Sequence, residues 1–139
     1  MVYARPILVV ENGLLAEPTV KGALETLGVA KRIVQTSTAD EAMAYLRDSR
    51  SVRPTVIIAD ASTEGSDGLD VLRQVKADPQ LSAIPVIIVA PSSDTRVIDE
   101  SFTLGVAGYV VKSPDVGEFT QALRGVHEYW MLSEVPVGR

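Results

Sequence analysis

Cysteine is absent from the 139 residues. Neither a disulfide framework nor a thiolate metal site can therefore be built. Histidine occurs once, as His127, with no nucleophile or metal partner at a recognisable spacing, so a surface or satisfied role is expected for it. No apolar run approaches the ~18 residues that a membrane span requires. The segment Met1 to Pro6 shows no signal-peptide pattern. A cytoplasmic protein without membrane attachment is the expectation. Basic residues are in deficit, 13 Lys and Arg against 18 Asp and Glu, for a formal net charge of −5. No Lys/Arg stripe offsets this, and nucleic-acid binding depends on neutralising phosphates, so no nucleic-acid partner is expected. Repeats, linkers and low-complexity tracts are missing as well. The length suits one domain with a real core, and 46% hydrophobic with 22% charged residues is ordinary globular usage.

What the chain does contain is a series of short apolar runs. Pro54-Thr55-Val56-Ile57-Ile58-Ala59-Asp60 is largely β-branched and ends in a carboxylate. Ile7 to Val10, Pro85 to Ala90 and Ala107 to Lys112 are runs of the same kind. Short continuous apolar segments suit strands buried on both faces of a parallel sheet. Arg32 to Ser37 is shorter and more polar, as an edge strand would be.

Helical patterns separate the runs. Val20, Leu24 and Leu27 recur at helical spacing, Pro18 is tolerable in that helix's first turn, and Gly28 suits its stop. Thr38-Ala-Asp-Glu41 matches a capping box opening a helix to about Asp48. Ser66 or Asp67 can cap a third helix, with Leu69, Leu72 and Val75 on one face and a stop near Asp78-Pro79. Ser92 or Ser93 can cap a fourth, with Ile98 and Phe102 at i, i+4 and Gly105 ending it. Ser113-Pro114 opens the last, with a stripe of Phe119, Leu123, Val126 and Trp130.

Strand and helix alternate five times. That order predicts an α/β fold, a parallel sheet covered by helices on both faces. Right-handed crossovers leave few topologies, and the flavodoxin-like (βα)5 order 2-1-3-4-5 is the leading one. The expected division is a domain over residues 1–132 and a tail over 133–139.

Ligands of doubly wound sheets bind at the carboxyl ends of the strands. Here those ends carry Glu11 and Asn12, Asp60, Ala90 and Lys112. An ionised carboxylate at the rim of an apolar core needs a partner, a metal or a reaction. Oxygen ligands around it suit Mg²⁺, which keeps several waters and takes one or two carboxylates. A nearby Lys would neutralise charge on a transferring phosphoryl group. Each element is weak by itself; their joint fall at the strand ends points to a carboxylate able to accept phosphate.

On these residues the chain resembles a receiver domain of two-component response regulators. ILVVEN (7–12), TVIIADASTEGSDGLDVLRQVKADP (55–79), IPVIIVA (84–90) and GYVVKS (108–113) carry the resemblance, which spans Pro6 to Trp130. ALRGVHEYWML (122–132) is similar to the small stand-alone regulators paired with phytochrome-type histidine kinases. The resemblance implies that Asp60 is the phosphoacceptor and that Lys112 stabilises the phosphoryl charge. It implies Mg²⁺ as cofactor, held by Glu11, Asn12, Asp60 and the backbone carbonyl of Ser62. It places the switch pair at Ala90 and Tyr109. The implied partner is a histidine kinase or phosphotransfer protein, and the implied role is phosphorelay signalling, not an enzyme's.

Three positions depart from the family's pattern. Asn12 stands where a second acid is usual, which should weaken Mg²⁺. Ala90 lacks the usual hydroxyl, so the link from phosphoryl group to Tyr109 cannot form. Ser113 replaces the usual proline after the Lys, with Pro displaced to 114. An alternative is therefore a pseudo-receiver, a phosphorylation-independent interaction module. A third class, a small flavodoxin-like enzyme or nucleotide binder, lacks its phosphate cradle over Glu11 to Glu17. Plainer roles also exist: Lys112 as a salt-bridge partner of Asp60, Asp67 as a helix cap, Tyr109 as edge-strand packing, and Gly65 to Gly68 as turn geometry. Trp130 and Met131 suit packing or a homodimer contact through the last helix and tail.

Overall fold

The computed structural model describes residues 5–12, 19–29, 32–61, 68–90 and 95–132. Five strands and five helices alternate along them: β1 (Ile7–Val10), α1 (Val20–Thr26), β2 (Ile33–Thr36), α2 (Ala39–Arg47), β3 (Val56–Asp60), α3 (Gly68–Ala77), β4 (Val86–Ala90), α4 (Thr95–Thr103), β5 (Gly108–Val111) and α5 (Val116–Leu132). The sheet order is β2-β1-β3-β4-β5, and all four pairings are parallel. This is the flavodoxin-like arrangement expected from the alternation.

The inner strands β1, β3 and β4 are buried along their whole length, which explains their unbroken apolar sequences. Side chains alternate between the two faces of the sheet. Leu8, Val10, Ile57, Ala59, Val86, Ile88 and Ala90 pack under α2, α3 and α4. Ile7, Val9, Val56, Ile58, Ile87 and Val89 pack under α1 and α5, around Phe119 and Leu123.

Chain reversals follow local chemistry. Gly28 and Gly105 take φ of +83° and +87°, the left-handed conformation that ends helices α1 and α4. Thr38 caps α2, its Oγ1 accepting from the Glu41 N–H at 3.1 Å. Glu41 answers by accepting from the Ser37 N–H at 2.8 Å, one residue earlier than a standard capping box.

Two expectations are corrected. The buried face of α4 is Val97 and Ser101, not Ile98 and Phe102; Phe102 is 59% exposed. A hydroxyl can occupy that core position because Ser101 Oγ donates to the Val97 carbonyl at 2.6 Å. At the start of α5, Pro114 lies outside the helix and Asp115 is the cap, its Oδ1 accepting from the Glu118 N–H at 3.1 Å. The caps expected at Ser66, Asp67, Ser92 and Ser93 lie outside the described residues.

The single histidine is half-buried on α5, with its Nε2 enclosed and making no hydrogen bond. Burial, and secondarily the Arg32 guanidinium, holds the imidazole below its ordinary value of 6.5, against an opposing pull from Glu128. The unfolded chain then takes up this proton at a higher pH than the folded one. Stability contributed by neutral His127 is complete above pH 6.5 and is lost as the pH falls below it. His127→Gln should flatten the fall in urea midpoint as the pH drops below 6.5. Equal slopes in both proteins would show that the imidazole is not the titrating group.

Candidate receiver site

The parallel register brings the ends of the central strands level. Val10 pairs with Ala59, Asp60 with Val89, and Ala90 with Val111. The Lys112 N–H donates to the Ala90 carbonyl at 3.0 Å, continuing the β4–β5 ladder one residue beyond β5. Asp60 and Lys112 thus reach the same edge from strands separated by β4. Lys112 Nζ lies 3.2 Å from Asp60 Oδ2, with the side chains only 11% and 2% exposed. A pair this enclosed is screened less by solvent than a surface ion pair.

Glu11 follows β1, and the alternation turns its side chain toward the α1 face. Its backbone is fixed by β2. The Glu11 N–H donates to the Thr36 carbonyl at 3.0 Å, and Gln35 Nε2 donates to the Glu11 carbonyl at 3.1 Å. The carboxylate is buried and accepts two main-chain bonds, from the Val20 N–H at 2.8 Å and the Lys21 N–H at 3.0 Å. Burial raises its pKa above the ordinary carboxylate value. The two amides partly offset this, Asp60's charge adds to it, and Lys112's opposes it. Glu11, Asp60 and Lys112 therefore form one electrostatic unit, whereas Asn12, the next residue along, is exposed.

The remaining expected positions fall around this unit. Ala90 is fully buried at the end of β4. Tyr109 is half-buried on β5 and packs against the same cluster as Ala90. Ser62 lies outside the described residues. Ser113 is drawn into the α5 cap: its Oγ accepts from the Asp115 N–H at 3.0 Å and donates to Glu118 Oε1 at 2.9 Å. These bonds brace the turn after Lys112.

Gly68 contributes in a way its sequence context did not suggest. It opens α3 directly over the end of β3. A Cβ there would lie 2.6 Å from the Asp60 carbonyl oxygen and 2.8 Å from its carbonyl carbon. The sign in the sequence was a glycine where a helix begins, a few residues after a strand's terminal carboxylate.

The donor set can be tested against a divalent cation. Both Glu11 oxygens are engaged by α1, Asp60 Oδ2 faces an ammonium, and Asn12 brings no charge. Among the described residues no three His, Cys, Asp or Glu side chains gather. The fit is poor. A cavity of about 490 Å³ lies elsewhere, lined by residues such as Tyr45, Arg47, Arg53, Asp78 and Ile84; none of the strand-end residues borders it.

Comparison with known proteins agrees with this geometry. The family model of the response regulator receiver domain matches residues 7–124. Response regulator Rcp1 of Synechocystis is 27% identical over 129 residues, covering 90% of this chain and 88% of that protein. The solved structure of the phosphorylated cyanobacterial phytochrome response regulator RcpA superposes with a TM-score of 0.81 at 28% identity, covering 97% and 100% of the two chains. The Mn²⁺-bound form of Rcp1 gives 0.80 at 24% identity, over 96% and 99%, and at that identity speaks for the fold. A parallel sheet in this order, with a buried Asp–Lys pair at its edge and a matching family model along most of its length, places the chain among the response regulator receiver domains, a family of signalling proteins and not of enzymes in general.

Proposed function

We propose that the chain accepts a phosphoryl group on Asp60 from a histidine kinase or phosphotransfer protein. The observation that carries this reading is the enclosed Asp60–Lys112 pair at the strand ends. A carboxylate oxygen of Asp60 would attack the phosphorus of a phosphohistidine. One P–O bond forms, the P–N bond breaks, and the imidazole leaves carrying the electron pair. Lys112 would offset negative charge on the transferring group.

Three features favour a weakened version of this chemistry. Mg²⁺ is the cofactor of the reading, bound weakly because Asn12 is neutral and the donor set is sparse; Asp60, Asn12 and the carbonyl of Ser62 are the positions that would hold it. The methyl group of Ala90 supplies no hydroxyl through which a phosphoryl group could engage β4 and then Tyr109. Ser113 holds its turn by hydrogen bonds where the family uses a ring. The enclosed Ala90 also favours a second reading, in which the domain binds partners without being phosphorylated.

Either way, output runs through surface contact. Phe102 on α4, Val111 on β5 and Val116 on α5 are large apolar side chains left exposed and suit contact with a partner, while a second copy would meet the last helix and tail. The acidic balance argues against nucleic acid. No helix among the described residues is long and apolar enough to cross a membrane, and a cytoplasmic location belongs to this reading.

The test is incubation with a small phosphodonor and Mg²⁺, followed by intact mass. Wild type should gain one phosphoryl adduct and Asp60→Asn none. If no Asp60-dependent adduct forms, even with a cognate kinase, the phosphorelay reading fails and the interaction module remains.

A further inference from the structure

We infer that Glu11 is a positioning residue that anchors α1 beside the Asp60 pocket, and that it is not a ligand of a divalent cation in this chain. The inference refines the cation site of the reading above and rests on that reading only for the cation.

Its basis is that each carboxylate oxygen already accepts a main-chain bond from α1. Oε2 accepts from the Val20 N–H at 2.8 Å and Oε1 from the Lys21 N–H at 3.0 Å. The first amides of a helix have no partner within it, and here Thr19 Oγ1 accepts from the Gly22 N–H, at 3.0 Å. Glu11 supplies acceptors for the two donors that precede it. Val20 is fully buried, so its amide has no access to bulk water if the carboxylate leaves. A buried donor without a partner is costly, and a charged acceptor makes a stronger bond than a neutral one.

The backbone of Glu11 is equally fixed. Thr36 and Gln35 of β2 hold both of its main-chain groups. With the backbone held, turning the side chain toward Asp60 would break its bonds to α1. Its negative charge still reaches Asp60 and Lys112, but as a fixed field and not as a ligand. Asp60 thus meets the field of both an ammonium and a carboxylate committed to α1.

Amide hydrogen exchange tests this. In Glu11→Ala the Val20 and Lys21 amides should exchange at least about fivefold faster, with Glu11→Gln intermediate because its carbonyl keeps one bond. Unchanged exchange at both amides in either variant would overturn the anchor. Wild type needs no substitution: on saturation with Mg²⁺ the two amides should stay within about twofold of their metal-free rates, and marked acceleration would show Glu11 moving to the metal. Mn²⁺ binding counted by electron paramagnetic resonance gives the last arm. Mn²⁺ bound by wild type while the Val20 and Lys21 amides keep their metal-free rates supports the inference, and Mn²⁺ bound with those amides accelerated overturns it. Wild type that binds no Mn²⁺, with accelerated amides in Glu11→Ala, would leave the anchor standing and remove the cation from the proposed function.

Discussion

Replacing Phe119 by Ala should lower the unfolding free energy by about 3–5 kcal/mol. The ring has no exposed surface and packs with Ile7, Val9, Leu24, Ile58, Val110 and Leu123, where α1, α5 and one face of the sheet meet. Truncation removes the transfer energy of the ring and leaves a void that several rigid elements would have to move to close. A domain of this size has about 5–15 kcal/mol in total, so a large share would be lost. Urea denaturation of Phe119→Ala and Phe102→Ala makes the contrast decisive. Phe102, largely exposed on α4, should cost no more than about 0.5 kcal/mol. Similar midpoints for the two variants would contradict the packing described here.

Gly68→Ala should cost about 3 kcal/mol, the upper end for added bulk in a packed site. The new methyl group would meet main-chain atoms of Asp60 and Ala61, at 2.6–3.0 Å. Backbone cannot rotate aside as a side chain can, so α3 must retreat from β3 or the strand end must shift. Better helix propensity returns at most about 1 kcal/mol. The displacement falls on the residue that holds the proposed phosphoacceptor, so adduct yield should drop together with the denaturant midpoint. A variant with wild-type midpoint and yield would show that the close approach does not exist in solution.

Much of this architecture was legible because its causes are local. Unbroken β-branched runs mark strands covered on both faces, and Gly28 and Gly105 mark the helix ends where the backbone does turn left-handed. The strand-end logic also located Asp60 and Lys112, since topology alone brings those positions to one edge. What escaped is what depends on tertiary choice. Periodicity favoured Ile98 and Phe102 on α4, but the core took Val97 and Ser101, because a hydroxyl that bonds its own helix can be buried. Ser113 read as a missing proline; its hydrogen bonds to Asp115 and Glu118 became visible only with the turn in place. Glu11 was assigned by resemblance to a cation, and no pattern in the sequence says which amides its oxygens will find.

The position of β1 has a consequence for how the chain is made. Made before the other strands, Ile7–Val10 ends in the interior of the sheet, between β2 and the much later β3. Until Val56–Asp60 has been made, β1 can be paired along one edge only, through β2. A chain halted before that point presents an apolar strand with unsatisfied donors and acceptors, a template for pairing with other chains. A cut between β2 and β3 would therefore yield an amino-terminal fragment that aggregates instead of an independently soluble half.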